Sequence, residues 1–303
     1  MKAISIILIL FSGLVSTAQD TANYTVTELV YGRKDGMALM MTKLTPREHA
    51  KGRALVSVVS GNWASSYTMT GNFIRRAVAF INSGYTVFLV NHSSQPRYTI
   101  SEAEDDIRRA IRFIRYNATS YGIDPDHIGI TGSSSGGHLS LLAALLDDNI
   151  KTDARDPVDK VSSRVQAAAV FFPPVDFLNW GNSTLDLQRE ILRRTRLLPA
   201  FDFKQFNDTT GLYESIKNEE TIKKIVMGIS PIYAVSKDDP PVFISHGDAD
   251  PVVPLQQSQS IIQKLKEAGV PNDLIIKPKG GHGWRNMEEQ DALFLAWFDK
   301  WLK

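Results

Sequence analysis

The sequence predicts an α/β fold: a mostly parallel central sheet with helices on both faces and a helical cap inserted between two strands. Three observations carry this. Short β-rich apolar runs alternate with helical patterns from Ala54 to the C-terminus, the turn Gly132-Ser133-Ser134-Ser135-Gly136 joins one such run to a helix, and the alternation stops once, between Phe177 and Ser230. Alternation of this kind is the signature of a parallel sheet whose crossovers are helices.

Taken in order, the pattern gives a strand over 54–59, a helix over 72–82, a strand over 86–91 and a helix over 101–121. In that second helix Ile107, Ala110, Ile111 and Ile114 recur at helical spacing, while Arg108, Arg109, Arg112 and Arg115 lie elsewhere around it and read as a solvated face. An apolar run over 127–131 then leads through the serine turn into a helix over 139–146. Strands over 167–172, 242–245 and 274–277 follow, with helices over 255–268 and 287–302. The interval 177–230 holds helix-like pieces at 185–198 and 221–227 around a Gly-, Asp- and Pro-bearing segment. It is too short for a separate core and is expected to cap the carboxyl ends of the strands.

Residues 1–18 read as a secretory signal peptide, with Lys2, an apolar core over 4–15 and the small residues Ser16-Thr17-Ala18 before Gln19, so the protein is expected to be secreted or periplasmic. The apolar run is too short to span a bilayer comfortably. Its removal takes away Lys2 alone, so 34 basic residues become 33 against 33 acidic ones. A neutral chain has no electrostatic attraction for nucleic acid. With no cysteine, stability has to come from a packed core, and the remaining 19–303 suffices for one domain.

The stretch Gly132 to His138 carries G-x-S-x-G between a strand and a helix. Small residues there permit a sharp strained turn that lifts the Ser134 hydroxyl clear of the sheet. A serine becomes nucleophilic only when a base takes its proton, and the base needs a carboxylate to fix its tautomer. His282, in Lys279-Gly280-Gly281-His282-Gly283-Trp284 after the last strand, is the candidate base. Asp250, in the turn after the strand ending near Ser245, is the candidate acid; Asp248 in the same turn and Asp176 after the 167–172 run are its competitors. Donors for a developing oxyanion are sought at the Ser135 N–H and in the loop after the first strand, at Gly61 and Asn62. His138 is expected to pack beneath the site and His246 to order the acid turn. No histidine pair has metal-ligand spacing and no glycine-rich phosphate loop occurs, so neither metal nor cofactor is expected.

The ordered set G-x-S-x-G-G-H, H-G-x-x-D-x-V and G-G-H-G-W resembles the α/β-hydrolase superfamily from about Ala54 onward. Within it the chain looks like the small carboxylesterase and acetylxylan-esterase-like branch, which shares C-terminal motifs with the prolyl-oligopeptidase group. The resemblance implies triad roles for Ser134, Asp250 and His282 and oxyanion roles for Gly61, Asn62 and Ser135. It departs from many relatives at the oxyanion loop, where Val59-Ser60-Gly61-Asn62-Trp63 keeps only Gly61 and Trp63 of H-G-G-x-W.

These readings converge on a secreted serine carboxylic-ester hydrolase that removes short acyl groups, above all acetyl, from plant or algal polysaccharide or oligosaccharide. Trp63 and Trp284 are candidate contacts for a sugar, with Tyr67 and Trp180 behind them. Arg189, Arg193 and Arg196 would share one face of a cap helix, with Arg194 beside them, and could meet uronates or simply face solvent. Two alternatives stay open: a serine peptidase of the prolyl-oligopeptidase type, and a binding protein on an inactive hydrolase scaffold.

Overall fold

The computed structural model describes residues 23–148, 150–181 and 198–303. The chain enters an eight-stranded sheet through an antiparallel hairpin, β1 (Tyr24–Lys34) and β2 (Met37–Pro46). Asp35 and Gly36 close it, both at positive φ, 47° and 78°. That two-residue geometry matches the twist of the flanking strands, and Asp-Gly tolerates it.

β3 (Arg53–Val58), β4 (Tyr85–Val90), β5 (Ile128–Ser133) and β6 (Ala167–Phe171) form the parallel centre. After a separate hairpin, β7 (Lys204–Asn207) and β8 (Leu212–Ser215), the sheet is completed by β9 (Val242–Gly247) and β10 (Asn272–Lys277). The spatial order is β1-β2-β4-β3-β5-β6-β9-β10, antiparallel up to β4 and parallel beyond it. Every residue of β4, β6 and β9 is buried, as expected for strands covered by helices on both sides.

Six α-helices accompany the strands among the described residues: α1 (Thr70–Asn82), α2 (Ile100–Tyr116), α3 (Ser135–Leu145), α4 (Glu219–Gly228), α5 (Leu255–Glu267) and α6 (Glu288–Trp301). Two cores result, one per sheet face. Val56, Ile111, Leu142 and Ile261 belong to the core under α2, α3 and α5, and Leu55, Phe80, Phe294 and Phe298 to the core under α1 and α6. Leu55 and Val56 point to opposite cores because successive strand side chains alternate.

The arginines of α2 are not a solvated face. Arg108 and Arg112 are buried, at 5% and 7% exposure. Arg108 donates to the Asp147 carbonyl and to Ser163 Oγ, Arg112 to the Val161 carbonyl and Asp148, and Arg115 to the carbonyls of Pro125, Ser162 and Arg164. Arg109 bridges Asp156 and Asp159. The row clamps the long connection between α3 and β6, giving its carbonyls partners they would otherwise lack. The helix itself starts with a capping box, Thr99 Oγ1 accepting from the Glu102 N–H and Glu102 accepting from the Thr99 N–H, and stops at Tyr116 rather than 121.

The insertion expected over 177–230 leaves the sheet after β6 and returns before β9. The helix expected over 185–198, with Arg189, Arg193, Arg194 and Arg196, lies outside the described residues except for its last position, and the segment 1–18 lies entirely outside them. The described remainder holds α4, which contains the helix expected over 221–227 and extends it by two residues at the start and one at the end, and the β7–β8 hairpin. Its neck is tied by hydrogen bonds: Phe177 N–H to Ser230 Oγ at 3.2 Å, Ser230 Oγ to the Val226 carbonyl at 2.7 Å and Ile232 N–H to the Val175 carbonyl at 3.2 Å. No helix among the described residues is long and apolar enough to cross a membrane.

Candidate active site

Ser134 sits between β5 and α3 with φ 55° and ψ −124°, a conformation a non-glycine residue rarely adopts. Its surroundings hold it there. Its N–H donates to the Phe171 carbonyl at 3.0 Å, and its carbonyl accepts the His138 N–H at 2.9 Å. The flanking glycines are required by space: a Cβ on Gly132 would collide with the Gly136 carbonyl, and one on Gly136 would lie 2.8 Å from the Val58 carbonyl.

The loops after β9 and β10 interlock above this elbow. The Ala249 N–H donates to the Gly280 carbonyl at 2.9 Å, the Asp248 N–H to the Lys277 carbonyl at 3.1 Å, and the Lys279 N–H to Asp248 Oδ1 at 2.5 Å. Gly247 faces the Gly280 carbonyl so closely that no side chain fits. This interlock brings the three candidate residues together. Ser134 Oγ lies 2.8 Å from His282 Nε2, and His282 Nδ1 lies 2.8 Å from Asp250 Oδ2. With Nδ1–H donating to the carboxylate, Nε2 is free to accept the serine proton.

The Asp250 side chain is fully buried. Burial alone would raise its carboxyl, but hydrogen bonds from His246, His282 and the N–H groups of Val253 and Val252 outweigh it and hold the group well below the usual carboxylate range. His246 Nε2 lies 3.4 Å from Asp250 Oδ2 and 2.9 Å from the Val253 carbonyl, and its Nδ1 lies 2.6 Å from Ser258 Oγ. His246 therefore orders the acid turn. Phe172, itself at φ 35°, packs its ring against His282 with centroids 4.5 Å apart.

Asp248, as the brace just described, and Asp176 are committed elsewhere. Asp176 accepts from the N–H groups of Leu178 and Asn179, the Asn179 side chain and the Tyr233 hydroxyl, at the neck of the insertion.

The loop after β3 differs from expectation in one respect. Gly61 and Ala64 exchange two backbone hydrogen bonds, both 2.9 Å, around a two-residue turn in which Asn62 and Trp63 have φ of 54° and 56°. The Gly61 N–H is therefore occupied. Of the expected donors, Asn62 at the turn and Ser135 at the first turn of α3 remain, the latter where a helix has N–H groups with no intrahelical partner. Ser60 Oγ and Ser135 Oγ, 3.0 Å apart and buried, join this loop to the elbow. Gln95, which the sequence did not single out, adds its N–H to the Trp63 carbonyl at 3.1 Å and its side chain to the Asn62 carbonyl at 3.3 Å.

Trp63 is 4% exposed, so it offers no face to a sugar. Its ring packs edge-on against His138, Phe177 and Phe201, and its Nε1–H donates to His138 Nδ1 at 3.0 Å. Trp284 is half-buried against Phe171 and Phe172, with its Nε1–H on Gln290 at 2.9 Å. Among the described residues no group of three or more His, Cys, Asp or Glu is placed to hold a metal ion.

Comparison with known proteins agrees with this architecture. The BD-FAE family model matches residues 42–265. Esterase LipQ of Mycobacterium tuberculosis is 31% identical over 229 residues, 71% of this chain and 46% of LipQ. Endo-1,4-beta-xylanase B of Butyrivibrio fibrisolvens is 25% identical over 73% of this chain and 31% of its own length. The chain thus spans about half or less of these curated relatives. Among solved structures, a truncated form of a carbohydrate esterase from gut microbiota superposes with a TM-score of 0.70 at 25% identity, covering 94% of this chain and 99% of that one. An acetyl ester-xyloside bifunctional hydrolase from Caldicellulosiruptor lactoaceticus shares the fold at a TM-score of 0.70 and 21% identity, over 90% of this chain and 96% of that one.

Proposed function

Because the chain belongs to the BD-FAE family of α/β-hydrolase esterases, we propose that it hydrolyses carboxylic esters through an acyl-enzyme on Ser134, with His282 as general base and Asp250 as the carboxylate that orients it. The observation that carries this reading is the unbroken chain Ser134 Oγ, His282 Nε2, His282 Nδ1, Asp250 Oδ2, with both links at 2.8 Å.

Ser134 Oγ attacks the ester carbonyl as His282 Nε2 takes its proton. The imidazolium that forms is stabilised by the ionised Asp250. The carbonyl oxygen, now an oxyanion, is met by the N–H groups of Asn62 and Ser135, an arrangement that commonly lowers the barrier by about 3–4 kcal/mol per donor. Collapse of the tetrahedral intermediate breaks the bond to the alcohol, which leaves with the proton from His282. Water then repeats the sequence on the acyl-enzyme and returns the acid and free Ser134.

The substrate class we propose is a short, chiefly acetyl, ester on plant or algal polysaccharide or oligosaccharide. Supporting it are the likeness to a gut carbohydrate esterase along almost the whole chain and to a protein named as a xylanase. Trp284 is the aromatic we assign to contact with the sugar, since it is half-exposed and adjoins Phe172 beside His282. Residues 1–18 are proposed to be removed on export, which N-terminal sequencing of the secreted or periplasmic protein would show as a chain starting at Gln19.

The test is acetate release from acetylated xylan, set beside p-nitrophenyl esters from acetate to octanoate and a proline-containing peptide, each with Ser134→Ala as control. Ser134-dependent release from the glycan and preference for the shortest ester are expected. Turnover of synthetic esters without the glycan would refute the substrate class, and Ser134-dependent peptide cleavage would replace the esterase with a peptidase.

A further inference from the structure

Trp63 is held at φ 56°, in the left-handed region that bulky residues avoid, next to Asn62 at 54°. Strained backbone of this kind persists only where its surroundings over-determine it. One of the groups holding it is His138, which is fully buried on α3, four residues past the nucleophile.

Its tautomer follows from its partners. The Trp63 Nε1–H can only donate, so His138 Nδ1, 3.0 Å away, accepts and carries no proton. Nε2 then carries the proton and donates to the Ile229 carbonyl at 2.7 Å, a group that can only accept. Ile229 caps the C-terminal end of α4, where the insertion returns to the sheet. Phe177 at the start of the insertion and Phe201 within it pack on the Trp63 ring, and Phe177 also packs on His138, with centroids 5.1 Å apart.

We propose that His138 is a positioning residue: its neutral ring ties the strained Asn62–Trp63 turn to the base of the cap and so fixes where the Asn62 N–H points over Ser134. The proposal rests on the esterase reading above. Burial pushes the His138 imidazole down to about 4, against a smaller opposing effect of the Ile229 carbonyl, so the ring stays neutral at neutral pH. A protonated ring would set an N–H against the Trp63 N–H. The base of the cap and the oxyanion turn therefore share one buried anchor, the His138 ring.

The test compares His138→Phe, which keeps a ring and loses both hydrogen bonds, with His138→Gln, whose amide carries an acceptor and a donor. In folded His138→Phe, kcat is expected to fall by about tenfold or more, less than the full loss of an oxyanion donor, while KM moves less than about threefold. Affinity for a boronic acid, whose tetrahedral adduct places an oxygen in the same position, is expected to weaken in parallel with kcat, and His138→Gln to recover most of both. If His138→Phe fails to fold, Trp63→Phe breaks the same bond from its other end and is expected to show the same selective loss of kcat. A folded variant with kcat within about twofold of the parent, a loss of kcat with unchanged boronate affinity, or a glutamine variant no better than phenylalanine would each overturn the positioning role. Ser134-dependent turnover in the parent alongside any of these leaves the esterase reading standing; absence of that turnover removes both.

Discussion

Asp248 Oδ1 accepts the backbone N–H of Lys279 at 2.5 Å, joining the turn that carries Asp250 to the loop that carries His282. Lys279 is at φ 58°, so this bond helps to hold a left-handed residue three positions before the proposed base. Asp248→Ala is expected to lower kcat by about tenfold, short of the hundredfold that a full ångström of misplacement can cost. Asp248→Asn keeps an acceptor and is expected to stay near the parent. Steady-state kinetics of the two variants on one short ester decide this; equal losses in both would assign the effect to charge instead.

Asp250 gives a pH dependence of known sign. Its folded carboxyl lies below the usual range, so it contributes stability that is fully present above the unfolded value of about 4 and is lost as pH falls through the folded one. The stability gap between the parent and Asp250→Asn is therefore expected to narrow as the pH falls below about 4. Urea unfolding across that range measures it. At pH 7 the same variant is expected to lose about 10⁴ in kcat, because an amide can hold His282 in the wrong tautomer.

Glu104 has the opposite sign. It is 5% exposed on α2, and burial pushes its carboxyl up to about 7, against the opposing pull of Arg108 and Arg112. The folded state therefore binds its proton more tightly than the unfolded state, and stability is lost as pH rises from about 4 to 7. Glu104→Gln removes this titration and is expected to gain stability relative to the parent at pH 8, by at most about 4 kcal/mol, and little at pH 4. An equal difference at both pH values would contradict the assignment.

Gly136 is expected to tolerate no side chain. Alanine there would bring a Cβ to 2.8 Å from the Val58 carbonyl, so either α3 or β3 has to move. Gly136→Ala is expected to destabilise the protein by about 1–3 kcal/mol, the usual range for overpacking a close contact, and to lower activity further by tilting the elbow. Thermal unfolding and kcat measured together check both parts.

Much of this site could be read from the sequence because each part is local. A strand, a small-residue turn and a helix specify the elbow at Ser134, and Asp250 and His282 each follow a strand whose carboxyl end lies at the same edge of a parallel sheet. What escaped the sequence depends on partners far along the chain. The occupied Gly61 N–H follows from a two-residue turn that the pair Asn62-Trp63 hardly advertises. Arg108 and Arg112 have the spacing of a solvated face, yet they are buried because the α3–β6 connection brings carbonyls to them. In sequence Trp63 reads as core more often than as a sugar platform, and its contacts with His138, Phe177 and Phe201 decide for core. The β7–β8 hairpin did leave a signal: Asn207 Oδ1 caps the N–H groups of Thr209 and Thr210 before Gly211 at φ 68°, an Asx turn between two short runs.

The central claim is that Ser134 is a nucleophile activated by His282. Labelling with a fluorophosphonate, followed by intact-mass measurement and peptide mapping, tests it most directly. One adduct on Ser134 is expected, absent in Ser134→Ala and formed at least about a hundredfold more slowly in His282→Ala, in line with what a positioned general base contributes. An unlabelled Ser134 in folded protein, or labelling at the same rate without His282, would contradict the account.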